Sequence, residues 1–249
     1  MKQPELKLLL AKALDQADLC AKKHTNTFTN FLDPLSISKL MAAVKVRGIN
    51  ALPFGGYSGA ERQMLGFFCE EISEDGFPIT MLTITVNKGF SGQITHRDCL
   101  GAILSLGIDR AKIGDIKFEE SGAHFFAHND ICEYIAQNLT KVGGAGVSVF
   151  MQPAADANFE ETEPEQIRTT VASLRLDAIV GQCFKLSRAN AQDLVAGEKV
   201  FVNWAAETRL SVQIKQDDVI TLRGYGRIKI KEICGTTKKG RTAVIYYKY

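Results

Sequence analysis

Residues 184–203 read FKLSRANAQDLVAGEKVFVN, and the order of residue types in this stretch decides the fold of the C-terminal third. Ala191, Leu194 and Val195 recur at three- and four-residue spacing behind Ser187, as on one face of a helix capped by that serine. Gly197 stops the run, and KVFVN then reads as a strand. One residue is out of place. Arg188 stands in the first turn, where the helix dipole disfavours a cation by roughly 0.3 to 1 kcal/mol. A bound phosphate would reverse that balance, because the first-turn N–H groups and the guanidinium would share one anion. A capped surface helix with an incidental arginine is the alternative.

Working outward, Leu176, Ile179, Val180 and Cys183 form an apolar face at i, i+3, i+4 and i+7, predicting a helix over about 174–184. VITLRGYG, IKIKEI and TAVIYYKY follow as strand candidates, so two short helices lead into a small sheet. The apolar positions go to the core, which leaves Arg175, Lys185, Arg188, Gln192 and Lys199 facing outward around the helix pair. In TLRGYGRIKI, Arg223 and Arg227 flank Gly-Tyr-Gly, where small residues allow close backbone approach and Tyr225 offers a stacking face. TTKKGR adds Lys238, Lys239 and Arg241 in a turn before the last strand.

The charge distribution agrees. Residues 168–249 hold 15 Lys and Arg against 7 Asp and Glu, whereas residues 1–167 hold 15 against 21. A net charge of +2 thus conceals a C-terminal module of +8, as expected of a part that meets a polyanion. Basic residues interleaved with an aromatic suit RNA better than an acidic protein surface.

The 249 residues, 45% hydrophobic and 23% charged, describe a globular chain with room for two or three small domains. No run approaches the ~18 to 20 apolar residues of a membrane span, and MKQPELKLLLAKALDQ breaks its apolar residues with charge, unlike a signal peptide. A cytoplasmic protein is expected. Six cysteines, at 20, 69, 99, 132, 183 and 234, lie far apart without a CxxC pair, so no metal or redox role is assigned to them.

The segments upstream have their own rhythm. Leu6, Leu9, Leu10, Ala13, Leu14, Ala17 and Cys20 predict a first helix, and Asp33-Pro34 the start of a second. ALPFGGYSGAERQMLGFFC reads as two short apolar runs around a Gly-rich turn, and EEISEDG at 70–76 as a boundary. The middle reads strand 78–86, helix 94–108 with Thr95 as N-cap, strands 113–119 and 123–128, helix 129–139 and strand 146–151. That β-α-β-β-α-β order is the split βαβ, or ferredoxin-like, pattern. QPAADANFEETEPEQ at 152–166 reads as a linker.

RLDAIVGQCFKLSRANAQDLVAGEKVFVN followed by QDDVITLRGYGRIKI resembles the RNA-binding domain named after ribosomal small-subunit protein four, the S-four domain. Over nearly its whole length the chain resembles the YlmH family, with FLDP at 31–34, GGYSGAER at 55–62, THRDCLGAILSLGIDRAKIGDI at 95–116 and the LRGYGR ending. The resemblance implies an RNA-binding factor that engages the large ribosomal subunit carrying peptidyl-tRNA in ribosome-associated quality control, in a family also linked by gene neighbourhood to cell division. It further implies that Arg175, Ser187, Arg188, Asn190 and Gln192 form a helical RNA-facing motif, and that Asn203 and Arg223 occupy the matching strand positions. Trp204 departs from the pattern, standing where many such domains have glycine; packing over the sheet is its expected role. Glycine turns account for GGYSGAER more economically than an RNA contact through Arg62.

Enzyme readings find little support. His96-Arg97-Asp98 has Ile103 where the kinase loop needs Asn, KVGGAG at 141–146 is not a P-loop, and neither GxSxG nor HExxH occurs. Arg175-Leu176-Asp177 matches the catalytic triplet of pseudouridine synthases but lies inside the S-four opening, with no synthase-sized domain beside it. HIGH and KMSKS, the marks of a tyrosyl-tRNA synthetase, are absent.

The expectations are therefore an α+β chain with an N-terminal helix-rich unit (1–75), a ferredoxin-like (RRM-like) domain (76–152), a linker (153–167) and an S-four RNA-binding domain (168–249). RNA would meet Arg175, Lys185, Ser187, Arg188, Asn190, Gln192, Lys199, Asn203, Arg223, Arg227, Lys238, Lys239 and Arg241. No catalytic residue, metal or cofactor is expected. The expected partners are rRNA, with tRNA as a further candidate, on the large ribosomal subunit; no membrane is expected, and the chain is expected to be monomeric. The rival functions are an RNA-modifying enzyme of pseudouridine-synthase type and a cell-division interaction protein.

Overall fold

The computed structural model describes residues 3–46, 49–69, 73–87, 92–119, 122–157, 159, 164–237 and 240–249. By contacts the chain divides into two units, Lys2–Phe159 and Glu160–Tyr249. Both are mixed α+β with antiparallel sheets.

The first unit begins with helix α1 (Gln3–Lys23), strand β1 (Thr27–Phe28), helix α2 (Pro34–Val46) and strands β2 (Ala51–Phe54) and β3 (Met64–Phe67), sheet order β1-β3-β2. Pro34 takes the first helical position, as expected, while the Asp33 carboxylate accepts from the Ser36 N–H at 3.0 Å and the Ser36 hydroxyl at 2.6 Å. Ala13, Ala17 and Cys20 of α1 pack against Leu40 and Val44 of α2 and against Leu65 and Phe67 of β3.

Next come β4 (Ile79–Val86), α3 (His96–Ser105), β5 (Ile113–Glu119), β6 (Gly122–His128), α4 (Asn129–Asn138), β7 (Lys141–Val142) and β8 (Ala145–Pro153). Their sheet runs β5-β6-β4-β8-β7. Without the two-residue β7, that order is the one a split βαβ unit adopts. Thr95 caps α3 in a full capping box, its hydroxyl accepting from the Asp98 N–H and the Asp98 carboxylate accepting from the Thr95 N–H. Both helices cover one face, where Leu82, Ile84, Cys99, Ile103, Phe125 and Ile135 are fully buried.

The expected boundary at 75/76 does not separate two bodies. Phe31 and Met64 share a buried cluster with Phe77, Ile79, Met81 and Phe126, so the N-terminal elements lie on the second face of the middle sheet. Burying an aromatic or Met side chain is worth roughly 1.5 to 3 kcal/mol, enough for a handful to hold the two parts as one.

The second unit comprises β9 (Glu165–Val171), α5 (Leu176–Cys183), α6 (Arg188–Ala196), β10 (Val200–Val202), β11 (Ala205–Ala206), β12 (Val219–Leu222), β13 (Gly226–Thr236) and β14 (Thr242–Lys248). The sheet order is β11-β10-β12-β13-β14-β9. Strand β9 begins inside the segment expected to be a linker, because it pairs with β14 from Glu165↔Lys248 to Val171↔Thr242. At the other end of that segment, Ala154, Ala157 and Phe159 pack on the first unit's aromatic cluster. Helices α5 and α6 cover one face, burying Leu176, Ile179, Val180, Ala191 and Val195 against Val200, Ile220, Leu222, Ile228, Ile230 and Val244. Among the described residues, no helix is long and apolar enough to cross a membrane.

Candidate nucleic-acid interface

Helices α5 and α6 are joined by a tight connection. The Leu186 N–H reaches back to the Gly181 carbonyl at 2.8 Å and Lys185 takes a left-handed φ of 56°, which is a Schellman cap made without glycine. Ser187 then starts α6, its hydroxyl accepting from the Asn190 N–H at 3.2 Å. Arg188 is exposed at the first helical position and makes no hydrogen bond or ion pair among the described residues. Lys185, Ser187, Asn190 and Lys199 are likewise exposed.

Arg188 does not stand alone. A groove of about 260 Å³ runs along the start of both helices, lined among others by Ser173, Arg175, Asp177, Gln182, Arg188 and Arg241. Arg241 is tied down from β14's start, its Nε donating to the Thr170 hydroxyl at 3.0 Å and an Nη to the Thr170 carbonyl at 2.6 Å. Arg175 forks onto the buried Asp177 carboxylate at 2.9 and 3.1 Å. That pairing, followed by donation from Gln192, holds the Asp177 carboxyl below its usual range even though burial opposes it. Three guanidiniums from three elements thus converge, with one acid already neutralised beneath them.

Two of the expected contacts do other work. Gln192 does not face outward: its amide donates to Asp177 at 3.2 Å, because a buried carboxylate draws every donor in reach. Asn203 is engaged at both ends of its amide, donating to Asp218 at 2.8 Å and accepting from the Val219 N–H at 2.9 Å. Asn203 and Trp204 have φ of 48° and 64°, the pair of left-handed residues that a two-residue turn between β10 and β11 requires. This geometry favours glycine and explains why the tryptophan is unusual there.

Arg223 and Arg227 lie on the other face of the six-stranded sheet, away from the helices. Ile228 and Ile230 point into the core, so Arg227 and Lys229 point out by the two-residue alternation. Arg223 sits over the Phe201 ring at 4.6 Å and Arg227 over Trp204 at 5.9 Å, with its Nε on the Thr221 hydroxyl at 3.0 Å. Lys229 and Lys231 join that face, Lys229 near Asp217 at 3.3 Å and Lys231 over Tyr247 at 5.0 Å. The alternation in RIKIK could have revealed both lysines. Lys238 and Lys239 fall outside the described residues.

In the first unit, GGYSGAER is a latch. The Glu61 and Arg62 N–H groups donate to Asp115 at 2.7 and 3.0 Å, and the half-buried Arg62 guanidinium donates to the Ile113 and Phe31 carbonyls at 2.9 and 3.0 Å. Burial lowers the Arg62 pKa, and it lowers that of neighbouring Arg110 to about 10. Gly56 cannot be replaced, since its φ is 101° and a Cβ would stand 2.3 Å from the Phe126 ring. Tyr57 stacks on Phe126 with centroids 5.0 Å apart, and Phe159 meets Tyr57, Phe126 and His124 edge-on. The chain's own rings cover the middle sheet around Phe126, whereas Phe150 on β8 stays exposed.

The three quoted stretches FLDP, GGYSGAER and RAKIGDI therefore meet at one point. Residues 7–72 match a family model described as "YlmH, N-terminal", and residues 73–156 one described as "Putative RNA-binding domain in YlmH". "Ribosome-associated protein quality control protein P2" of Bacillus subtilis is 31% identical over 237 residues, covering 94% of this chain and 92% of that protein. The chain belongs to the YlmH family. Its fold is shared with a solved structure titled "Cell division protein ylmH from Streptococcus pneumoniae", at TM-score 0.53 and 20% identity over 63% of this chain and 96% of that one. The latch residues Phe31, Arg62, Ile113 and Asp115 all fall within stretches on which the family resemblance rests, and they serve the fold.

Proposed function

We propose that this YlmH-family protein is a non-catalytic RNA-binding factor that docks structured rRNA or tRNA on the large ribosomal subunit, in ribosome-associated quality control. The residues that do so lie in 168–249, which we read as an S-four domain. The observation that carries this reading is the groove at the paired helix starts, where Arg175, Arg188 and Arg241 converge. The relative named for ribosome-associated quality control supports the ribosomal setting, and the family model described as a putative RNA-binding domain supports RNA binding in general, though it matches residues 73–156 and not the groove.

The mechanism is binding and register. Arg188 and the first-turn N–H groups of α6 receive a phosphate, Arg175 and Arg241 present fixed positive charge beside it, and the Schellman connection holds the two helix starts at constant spacing. Lys185, Asn190 and Lys199 extend the contact along the exposed rim, while Arg223 and Arg227 reach RNA from the sheet face.

Sedimentation through sucrose gradients, with and without RNase, tests the proposal. Co-migration with large-subunit particles that RNase abolishes is expected. A protein that stays at the top of the gradient, or co-migrates irrespective of RNase and salt, would refute it. If about 4 to 6 phosphates are neutralised, log K falls with log salt at a slope of roughly minus 3 to minus 5.

A further inference from the structure

Cysteines 20 and 69 are separated by 48 residues in sequence, and their Sγ atoms stand 2.7 Å apart. Cys20 lies on the last turns of α1 and is buried; Cys69 follows β3 and is half-buried. The Cys69 thiol also approaches the Cys20 carbonyl at 2.9 Å, and the Cys20 thiol the Phe67 carbonyl at 3.4 Å, so both are oriented by backbone and not merely adjacent. The other four cysteines have no such partner. Cys99, Cys132 and Cys183 are buried singly, with thiols pushed up to about 11, 12 and 12, mainly by burial, and Cys234 is exposed on β13.

We infer that Cys20 and Cys69 form an oxidation-sensitive dithiol, which hydrogen peroxide closes to an intramolecular disulfide between α1 and the end of β3. An S–S bond is about 2.05 Å long, so the sulfurs need close by only about 0.65 Å. The order of events follows from access. Burial and Cys69 together push the Cys20 thiol up to about 11, so the more accessible Cys69 is the one peroxide meets first. Peroxide transfers one oxygen to Cys69, giving the sulfenic acid and one water. The Cys20 sulfur then attacks the Cys69 sulfur; the S–S bond forms, the S–O bond breaks, and hydroxide leaves with the Cys20 proton as a second water. Two thiols and one peroxide give one disulfide and two waters, a two-electron oxidation that a dithiol reductant reverses. The bond would staple the first helix to the sheet it packs on.

The test uses the full chain in a Cys234→Ser background, which removes cross-linking between molecules. After treatment with hydrogen peroxide and alkylation, non-reducing peptide mapping is expected to show one peptide joining residues 20 and 69, 2 Da lighter than its two free peptides. Alkylatable thiols fall by two, dithiothreitol restores them, and Tm rises on the order of 10 °C, as closure of a loop of about 50 residues predicts. Cys69→Ser abolishes all of these changes while folding normally, and Cys20→Ala serves as the second variant, leaving Cys69 to stop at sulfenic or sulfinic acid. Peroxide that leaves both thiols alkylatable, or takes Cys69 to sulfinic acid in the parent protein without linking it to Cys20, would overturn the inference.

Discussion

Reversing the charge at Arg188 separates binding from folding, because the two respond with opposite sign. Arg188 is exposed and makes no hydrogen bond or ion pair among the described residues, so Arg188→Glu breaks nothing internal. At the first position of α6 a cation opposes the helix dipole and an anion complements it, each by roughly 0.3 to 1 kcal/mol, so the substitution should stabilise the fold by about 1 kcal/mol. For a chain of this size that is a Tm gain of roughly 2 to 4 °C. Binding moves the other way. A charge pair at about 4 Å in water-like surroundings is worth about 1 kcal/mol, so turning attraction into repulsion loses about 2 kcal/mol, near 30-fold in Kd. The salt slope should also shrink by about 0.9. The chain's one tryptophan, Trp204, lies in the same unit as Arg188, so its fluorescence can follow both urea unfolding and titration with ribosomal RNA. Unchanged affinity, or a fall in stability, would refute the assignment of Arg188 to a phosphate. Arg175→Glu is the contrasting control: it strips the fork from the buried Asp177, so stability and affinity should fall together.

Arg62→Ala deletes two charge-assisted bonds to the Phe31 and Ile113 carbonyls, which should cost roughly 3 to 5 kcal/mol in urea unfolding of the first unit and leave RNA affinity per folded molecule unchanged. Asn203→Ala removes two hydrogen bonds and puts a Cβ-branch-free but non-permissive residue at φ 48°, so about 2 kcal/mol of stability should go, read from Trp204 emission. In acid, Glu207, paired with Arg209, has its pKa lowered to about 2, and Asp177 is also depressed. Their stabilisation is therefore complete above the unfolded values of roughly 4 to 4.5 and is lost as pH falls through the folded ones, so the second unit should weaken between about pH 4.5 and 2 while flat from 5 to 7.

What the sequence made legible was local. Ser187 and the Thr95–Asp98 box announce helix starts because a cap is satisfied within three residues. Strand β9 was hidden because its partner, β14, lies more than 70 residues on, and EQIRTTV carries too few apolar residues to stand out without it. Gly197 was expected to end α6 and does, yet the left-handed residue is Glu198, at φ 56°; Gly197 is instead the position where a Cβ would come within 3.0 Å of the Asp193 carbonyl. Gln192 reads as surface because helical spacing places it beside Ala191, and only the buried carboxylate of Asp177 turns its amide inward. The cysteine pair was invisible for the same reason as β9: α1 and β3 meet through tertiary packing, and nothing near Cys20 or Cys69 foretells the other.

The arginines carry the general point, since one residue type serves two ends that composition cannot separate. Where a half-buried guanidinium finds backbone carbonyls, as Arg62 and Arg110 do, it holds loops together and its donors are spent within the fold. Arg175 and Arg241 are intermediate, each fixed by one internal partner while still lining the groove. Arg188 and Arg223 are exposed, and among the described residues the Arg223 guanidinium meets a ring face and no carboxylate. The 15 cations of residues 168–249 therefore overstate how many a phosphate can meet, because Arg175, Arg209 and Lys229 already face Asp177, Glu207 and Asp217. Phosphate neutralisation should accordingly fall at the low end, with a salt slope nearer minus 3 than minus 5. A steeper slope would mean that RNA pulls these paired cations away from their carboxylates, and then Asp217→Asn and Glu207→Gln should each tighten binding at low salt.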